Sequence, residues 1–536
     1  MIEITDPDEI FTKAWDYVIV GGGSAGCVLA RRLSESPNVT VLLLEAGSDT
    51  VDPLVFAPPA WPGLAGGKYD WDYLSVPQPG LLGRSVGQPR GKGLGGSTLI
   101  NALGFQRGPM KAYDRWAGET GSPGWSADGL LPYFRRLETA SSGADAFRGG
   151  DGPLQILELG AVCDHHPLSV AFGEAGVSAG YPLNPDWNGA HADGTSWSQL
   201  TIRDGRRDTA ASAFVDPIRS RSNLEILPGA QVLRIVTECA QCIGVELIVD
   251  GKLRKIRANR ETILSAGAID TPRLLLLSGI GDADALRAIG IDVVCDLPGV
   301  GCNLHDHPLV PGLLYRSRRP LPVSHYNHCE TVVIASSRHH PGWADLQIMG
   351  LTVPFLSPEL GVAPPQSFSI VPAMMAPRSR GSITLASADP RVPVSIDPGY
   401  LTDIRDVEAL VDAIAIAREV ADQPAMREWI AEELFPGLQI HDSESVANHI
   451  RRTASPFYHP VSTCRMGKDS DAHSVTDPNC RVRGVAGLRI VDASVMPSIP
   501  QAMTNAPVMA LAERAADLIF SSTDTAPALK DPRHLG

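Results

Sequence analysis

Asp16-Tyr17-Val18-Ile19-Val20-Gly21-Gly22-Gly23-Ser24-Ala25-Gly26 decides the fold of this chain. Tyr17, Val18, Ile19 and Val20 form a continuous apolar run, as a parallel strand buried on both faces requires. Three glycines follow at G-x-G-x-x-G spacing (Gly21, Gly23, Gly26), and Cys27-Val28-Leu29-Ala30-Arg31-Arg32-Leu33 continues as a helix. In such a unit Gly21 makes the tight turn, Gly23 lets backbone N–H groups approach a pyrophosphate, and Gly26 lets the helix pack close to the strand. The helix N-terminus adds a field that attracts the phosphates. A second apolar run, residues 39–44, ends in Glu45, 19 residues beyond Gly26. A carboxylate there can accept hydrogen bonds from the hydroxyls of an adenosine ribose. Strand, turn, helix, strand and acidic residue in this order predict a dinucleotide site. They do not choose between NAD and FAD.

Working outward, 536 residues suffice for three or four domain-sized units or for one large two-domain enzyme. A net charge of −14 and a pI near 5.5 argue against nucleic acid or an anionic membrane surface as partner. Residues 1–9 are acidic and lack the apolar core of a signal peptide. No run reaches the roughly 18 apolar residues of a membrane span, so a cytoplasmic protein is expected. The nine cysteines are scattered and suggest no disulfide framework. Cys239 and Cys242 form a C-x-x-C, yet they fall between two strand-like runs, 232–236 and 244–249, with no second pair to complete a zinc site. A turn, and no metal, is expected there.

Residues 50–90 are rich in Pro, Gly and Trp and read as ordered loop. Next comes Pro89-Arg90-Gly91-Lys92-Gly93-Leu94-Gly95-Gly96-Ser97-Thr98-Leu99-Ile100-Asn101, whose glycines and cations suggest a backbone nest for an anion leading into a helix. Helical spacing marks 111–138, whereas 156–205 is polar and aromatic with weak periodicity. Strands return at 224–227, 232–249 and 261–264, and Ser265-Ala266-Gly267 turns into another helix. From 310 to 455 alternating runs predict antiparallel strands, with one or two helices over 403–432. A short strand at 488–492 and a helix at 506–520 precede a polar tail, 521–536. The fold class expected is α/β (α+β overall): a Rossmann-like nucleotide domain plus a substrate domain with an antiparallel sheet and helices.

The chain resembles the glucose–methanol–choline (GMC) family of FAD-dependent oxidoreductases over roughly residues 14–522. The blocks that carry the resemblance are the fingerprint with Glu45-Ala46-Gly47, the glycine-rich run ending at Asn101, and Gly267-Ala268-Ile269-Asp270-Thr271-Pro272. Three more are Gly299-Val300-Gly301-Cys302-Asn303-Leu304-His305-Asp306-His307, Tyr458-His459-Pro460, and Val491-Asp492-Ala493-Ser494-Val495-Met496-Pro497. The resemblance implies FAD held by Gly21, Gly23, Ser24, Gly26, Glu45, Ala46, Arg90, Gly96, Asn101, Ala102, Val232, Ala266, Asp492, Ala493 and Asn505. It implies an FAD domain in three pieces (1–155, 206–309, 456–522), a substrate domain from 156–205 and 310–455, and a tail at 523–536. Some relatives tether FAD through a histidine just before the loop asparagine; Ile100 stands there, so non-covalent FAD is expected.

Oxidising an alcohol with a flavin needs a base for the hydroxyl proton and a carbon placed within hydride reach of flavin N5. Histidine suits the first role, since its ordinary pKa near 6.5 leaves it neutral and accepting at pH 7. The family's catalytic histidine corresponds to His459, flanked by Tyr458. A second His or Asn usually faces it, and Met503 holds that position here. A thioether accepts only weakly and donates nothing. A single-histidine site, a substitute polar group from the substrate domain, or a different reaction would each account for it. The substrates implied are aromatic or heteroaromatic (pyridoxine-like) methanols, small polyols and short aliphatic alcohols, with O2 or a quinone-type compound as electron acceptor. A non-redox hydroxynitrile lyase is the rival class. The remaining histidine pairs read as loop residues, and His305-Asp306-His307 matches a loop near the flavin in place of a metal cluster.

Overall fold

A computed structural model describes residues 9–523. Its first sheet runs Leu224–Leu227, Val41–Leu44, Ala14–Val20, Lys252–Leu264, Gln241–Val249, Gln231–Glu238, with Leu488–Ile490 paired to the end of Lys252–Leu264. The pairings around Ala14–Val20 are parallel, and Val41–Leu44 is buried at every position. That burial is why those strands read as unbroken apolar runs. Gln231–Glu238 and Gln241–Val249 extend the sheet as an antiparallel hairpin. Its turn is Cys239-Ala240, both left-handed (φ 49° and 60°), with Cys239 exposed and Cys242 buried as free thiols. Two successive left-handed residues are what a tight hairpin demands. The C-x-x-C is therefore a turn, as expected.

The second sheet is antiparallel, in the order Ile430–Phe435, Leu314–Ser317, Ser367–Met374, Leu346–Leu351, Thr331–Ala335, Gly194–Trp197. Alternation divides its faces: Leu346, Ile348, Phe368 and Ile370 pack in the cluster of the covering helix Ile404–Ala421. Met349, Leu351 and Val371 point the other way, into a cluster that includes Phe355, Phe457 and Met503. This second face is the one that fronts the functional cavity.

A smaller sheet, Glu138–Ala140, Leu154–Glu158, Gln199–Arg203 and Arg206–Arg207, is pinned by buried charge. Glu138, 0 % exposed, accepts from Arg107 and, at 3.0 Å, from Arg148, which also reaches Glu158 at 2.7 Å.

The weakly periodic 156–205 stretch holds a helix, Pro167–Ser178, and strands that pair with residues far away in sequence. Three expectations need correction. The glycine-rich run ends in a single 3-10 turn, Gly96–Leu99, instead of a helix. Helix over 403–432 stops earlier: Ile430–Phe435 is a strand, paired with Leu314–Ser317. The last helix continues through 521–523 (Asn505–Thr523), where a tail was expected; the rest of that tail lies outside the described residues. No helix among the described residues is long and apolar enough to cross a membrane.

Candidate active site

A cavity of about 590 Å³ runs from the first glycine turn to the apolar face of the second sheet. At the glycine end the backbone leaves no room for side chains. A Cβ on Gly21 (φ 106°) would stand 2.5 Å from the Ser265 carbonyl oxygen, and one on Gly26 would stand 1.9 Å from the Gly21 carbonyl oxygen. Gly26 thus serves helix packing and does not line the cavity. Gly23 differs: a Cβ there would meet nothing nearer than the Gly96 Cα at 3.9 Å, so its side opens onto the cavity. Gly23 also caps the helix Ser24–Leu33 without any side-chain hydrogen bond, which leaves the first-turn N–H groups for a ligand. A cradle of glycine backbone facing uncapped N–H groups fits the pyrophosphate of FAD.

Glu45 does more than its spacing suggested. Only 6 % exposed, its carboxylate accepts from Gly22 N–H (2.9 Å), Gly47 N–H (2.8 Å) and Gly93 N–H (3.0 Å). It therefore ties the fingerprint turn to the second glycine-rich loop while lining the cavity. Burial pushes its pKa up, against those three N–H groups, which favour the anion. Asp492 is similarly engaged, accepting from Gly267 N–H at 2.9 Å, the Thr271 hydroxyl at 2.6 Å and Ser494 N–H at 2.8 Å. Asn505 accepts from the Ser24 hydroxyl at 2.9 Å. Ala46, Arg90, Gly96, Asn101, Ala102, Val232, Ala266 and Ala493 also line the cavity.

Arg207, a residue the sequence reading passed over, holds Asn101. Its guanidinium, 2 % exposed, donates to the Asn101 Oδ1 and carbonyl oxygen, both at 2.6 Å, and to the Val55 carbonyl at 2.8 Å. Among the described residues no carboxylate pairs with it, one Nη has no partner, and burial lowers its pKa to about 9. Only proximity in the fold reveals this contact, since 106 positions separate the two residues.

At the other end stands His459, on a strained turn. Tyr458 has φ 66°, a left-handed value that is rare for a bulky side chain. Arg90 donates to the Tyr458 carbonyl at 2.5 Å, and Asp306 accepts the His459 backbone N–H at 2.6 Å, so both sides of the turn are held. The His459 Nδ1 lies 3.0 Å from Nδ1 of His307, and the His307 Nε2 lies 3.1 Å from the Met375 carbonyl oxygen. Burial, then His307 and Arg90, hold the His459 pKa well below its ordinary value. His459 lines the cavity, and among the described residues the hydrogen bond of its ring is the Nδ1 contact to His307, which leaves Nε2 without a partner.

Met503 forms part of the same wall. Its sulfur occupies the hollow above Gly104, where a Cβ would come within 2.2 Å of it, and its N–H donates to the Gln106 amide oxygen at 3.2 Å. Trp61 and Phe355 (ring centroids 6.4 Å apart), Leu309, Leu351 and Phe457 complete an apolar chamber. Among the described residues no group of His, Cys, Asp or Glu could hold a metal ion, and His305-Asp306-His307 builds the turn behind His459 instead.

Known proteins resemble this chain along nearly its whole length. Family models described as GMC oxidoreductase match residues 15–309 and 377–512. The mitochondrial choline dehydrogenase of Mus musculus is 38 % identical, over 96 % of this chain and 90 % of its own. The pyridoxine 4-oxidase of Microbacterium luteolum is also 38 % identical, over 93 % and 98 %. Among solved structures, pyridoxine 4-oxidase from Mesorbium loti superposes with a TM-score of 0.91 at 36 % identity, covering 95 % of this chain and 99 % of that one. With family models over both halves and relatives aligned along nearly its whole length, this protein belongs to the GMC oxidoreductases, FAD-dependent enzymes that act on CH–OH groups.

Proposed function

We propose that this enzyme oxidises a neutral, flat or apolar carbinol to the carbonyl compound, with His459 as the base. The observation that carries the reading is the unpartnered Nε2 of a half-buried, neutral His459 at the apolar end of the cavity. The hydroxyl of a carbinol lodged there donates to Nε2, which takes the proton as the carbonyl forms. FAD bound along the glycine loops supplies the acceptor for the hydride leaving the carbinol carbon. Ile100, half-buried in the cavity wall, offers no nucleophile for a tether, so the cofactor is read as dissociable.

The chamber sets the substrate class. Leu309, Leu351, Phe355, Phe457 and Met503 bring no charge to it, and the carboxylates that line the cavity, Glu45, Asp270 and Asp492, already have partners elsewhere. A fixed cation such as choline would be desolvated here without a counter-charge, which disfavours it against an aromatic or heteroaromatic methanol. The relatives named above are dehydrogenases and oxidases, so the lyase alternative is set aside.

Anaerobic mixing of the flavin-loaded enzyme with a panel of alcohols tests the whole reading. Aromatic methanols should bleach the flavin at least about tenfold more efficiently than choline. His459→Ala should slow that bleaching at least about 10²-fold. Admitting air afterwards separates O2 from quinone-type acceptors. Bleaching by choline alone would overturn the substrate assignment, and an unchanged rate in the His459 variant would overturn the base.

A further inference from the structure

His307 sits directly behind the base, and its hydrogen bonds leave little freedom to either ring. The two imidazoles meet edge to face, at 85° with centroids 5.2 Å apart. Burial pulls His307 down to about 3 against the pull of the Met375 and Pro500 carbonyls. At neutral pH it therefore carries a single ring proton. Of these two carbonyls the one in hydrogen-bond geometry is that of Met375, 3.1 Å from Nε2; a carbonyl can only accept, so the proton is on Nε2 and Nδ1, which faces His459, is a lone pair. The 3.0 Å contact between the two Nδ1 atoms then has one sensible polarity: His459 donates and His307 accepts. His459, neutral as well, has spent its only proton on that bond, and its Nε2 is left as a lone pair.

We propose that His307 is a positioning residue that locks His459 in the Nδ1–H tautomer and so keeps the Nε2 acceptor turned to the substrate. Without that acceptor the Nε2–H tautomer becomes accessible, and in that form the atom facing the substrate donates where it must accept. The other charged or titratable groups around the pair do not supply the function. Asp306 spends one oxygen on the His459 backbone N–H and the other on the Tyr400 hydroxyl, and Arg90 binds the Tyr458 carbonyl. The catalytic consequence rests on the reading of His459 as base, whereas the tautomer does not.

Two variants separate the lock from mere packing. In His307→Asn the amide oxygen, which falls near the position of Nδ1, can still accept from His459 Nδ1–H, so the lock is conserved. In His307→Leu it is lost. For the flavin-loaded enzymes, single-turnover flavin reduction should fall at least about 10²-fold in the Leu variant with substrate affinity nearly unchanged, and stay within about tenfold in the Asn variant. Nitrogen-15 NMR of histidine-labelled protein, with His459 assigned by its loss in a His459→Asn sample, should show the Nδ1–H tautomer in the wild type and the Asn variant, and Nε2–H in the Leu variant. Wild-type His459 protonated on Nε2, or Leu and Asn variants of equal rate, would overturn the proposal. If the Leu variant fails to fold or to hold flavin, the wild-type tautomer still decides. A His459→Ala enzyme of unchanged rate would refute the base while leaving the tautomer measurement standing.

Discussion

Asp306 accepts the His459 backbone N–H at 2.6 Å through one oxygen, and through the other it accepts from the Tyr400 hydroxyl. Burial pushes this carboxyl from 3.8 up to about 6. Folded protein thus retains a proton that the unfolded chain has released between those values, so Asp306 makes stability fall as pH rises through that window. Asn can accept the same N–H and donate to Tyr400, without ionising. Relative to wild type, Asp306→Asn should gain about 1 kcal/mol of unfolding free energy between pH 5 and pH 7, read by denaturant titration of the flavin-loaded proteins at both pH values.

The Gly104–Met503 contact predicts a coupled pair. Gly104→Ala puts a methyl group where the Met503 sulfur sits, 2.2 Å away, and should drive the thioether into the chamber. KM for the best aromatic methanol should rise at least about tenfold, and Met503→Ala in the same chain should restore most of it. A double-mutant cycle should give a coupling of about 1 kcal/mol or more; additive effects would mean that the two residues do not share the hollow.

Glu45→Gln replaces an acceptor of three backbone N–H groups by an amide that must point donors at one of them. A buried donor left unpaired costs about 1–3 kcal/mol. Flavin retention after gel filtration should drop at least tenfold, and the melting temperature should fall with it.

Glu138 sits between Arg107 and Arg148, with all three side chains buried. Glu138→Gln leaves two guanidinium groups without their shared counter-charge, and a loss of about 3–5 kcal/mol is expected from chemical denaturation. Unchanged stability would show that Glu158 and Asp186 neutralise Arg148 unaided.

The nucleotide half of the fold was legible because local rules write it. A buried parallel strand is a continuous apolar run, and a tight turn against a helix demands glycine at Gly21 and Gly26. The second sheet was legible only in outline. Gly194–Trp197 is a strand because Thr331–Ala335 pairs with it, a partner no local window contains. Ile430–Phe435 is rich in Ala, Glu and Leu, good helix formers, and becomes a strand through Leu314–Ser317. In the site, His459 and the odd methionine at 503 could be placed by motif. His307 behind His459, and Arg207 behind Asn101, join residues 152 and 106 positions apart and follow no spacing rule.

Arg207 gives the cavity an electrical polarity. Its guanidinium lies one amide away from the lumen, among the described residues no carboxylate pairs with it, and the low-dielectric surroundings screen it poorly. The Asn101 amide is thus held by a buried cation and fixed in place before anything binds. An anionic group docked against the Asn101 wall would meet an amide already oriented, with no reorganisation left to make.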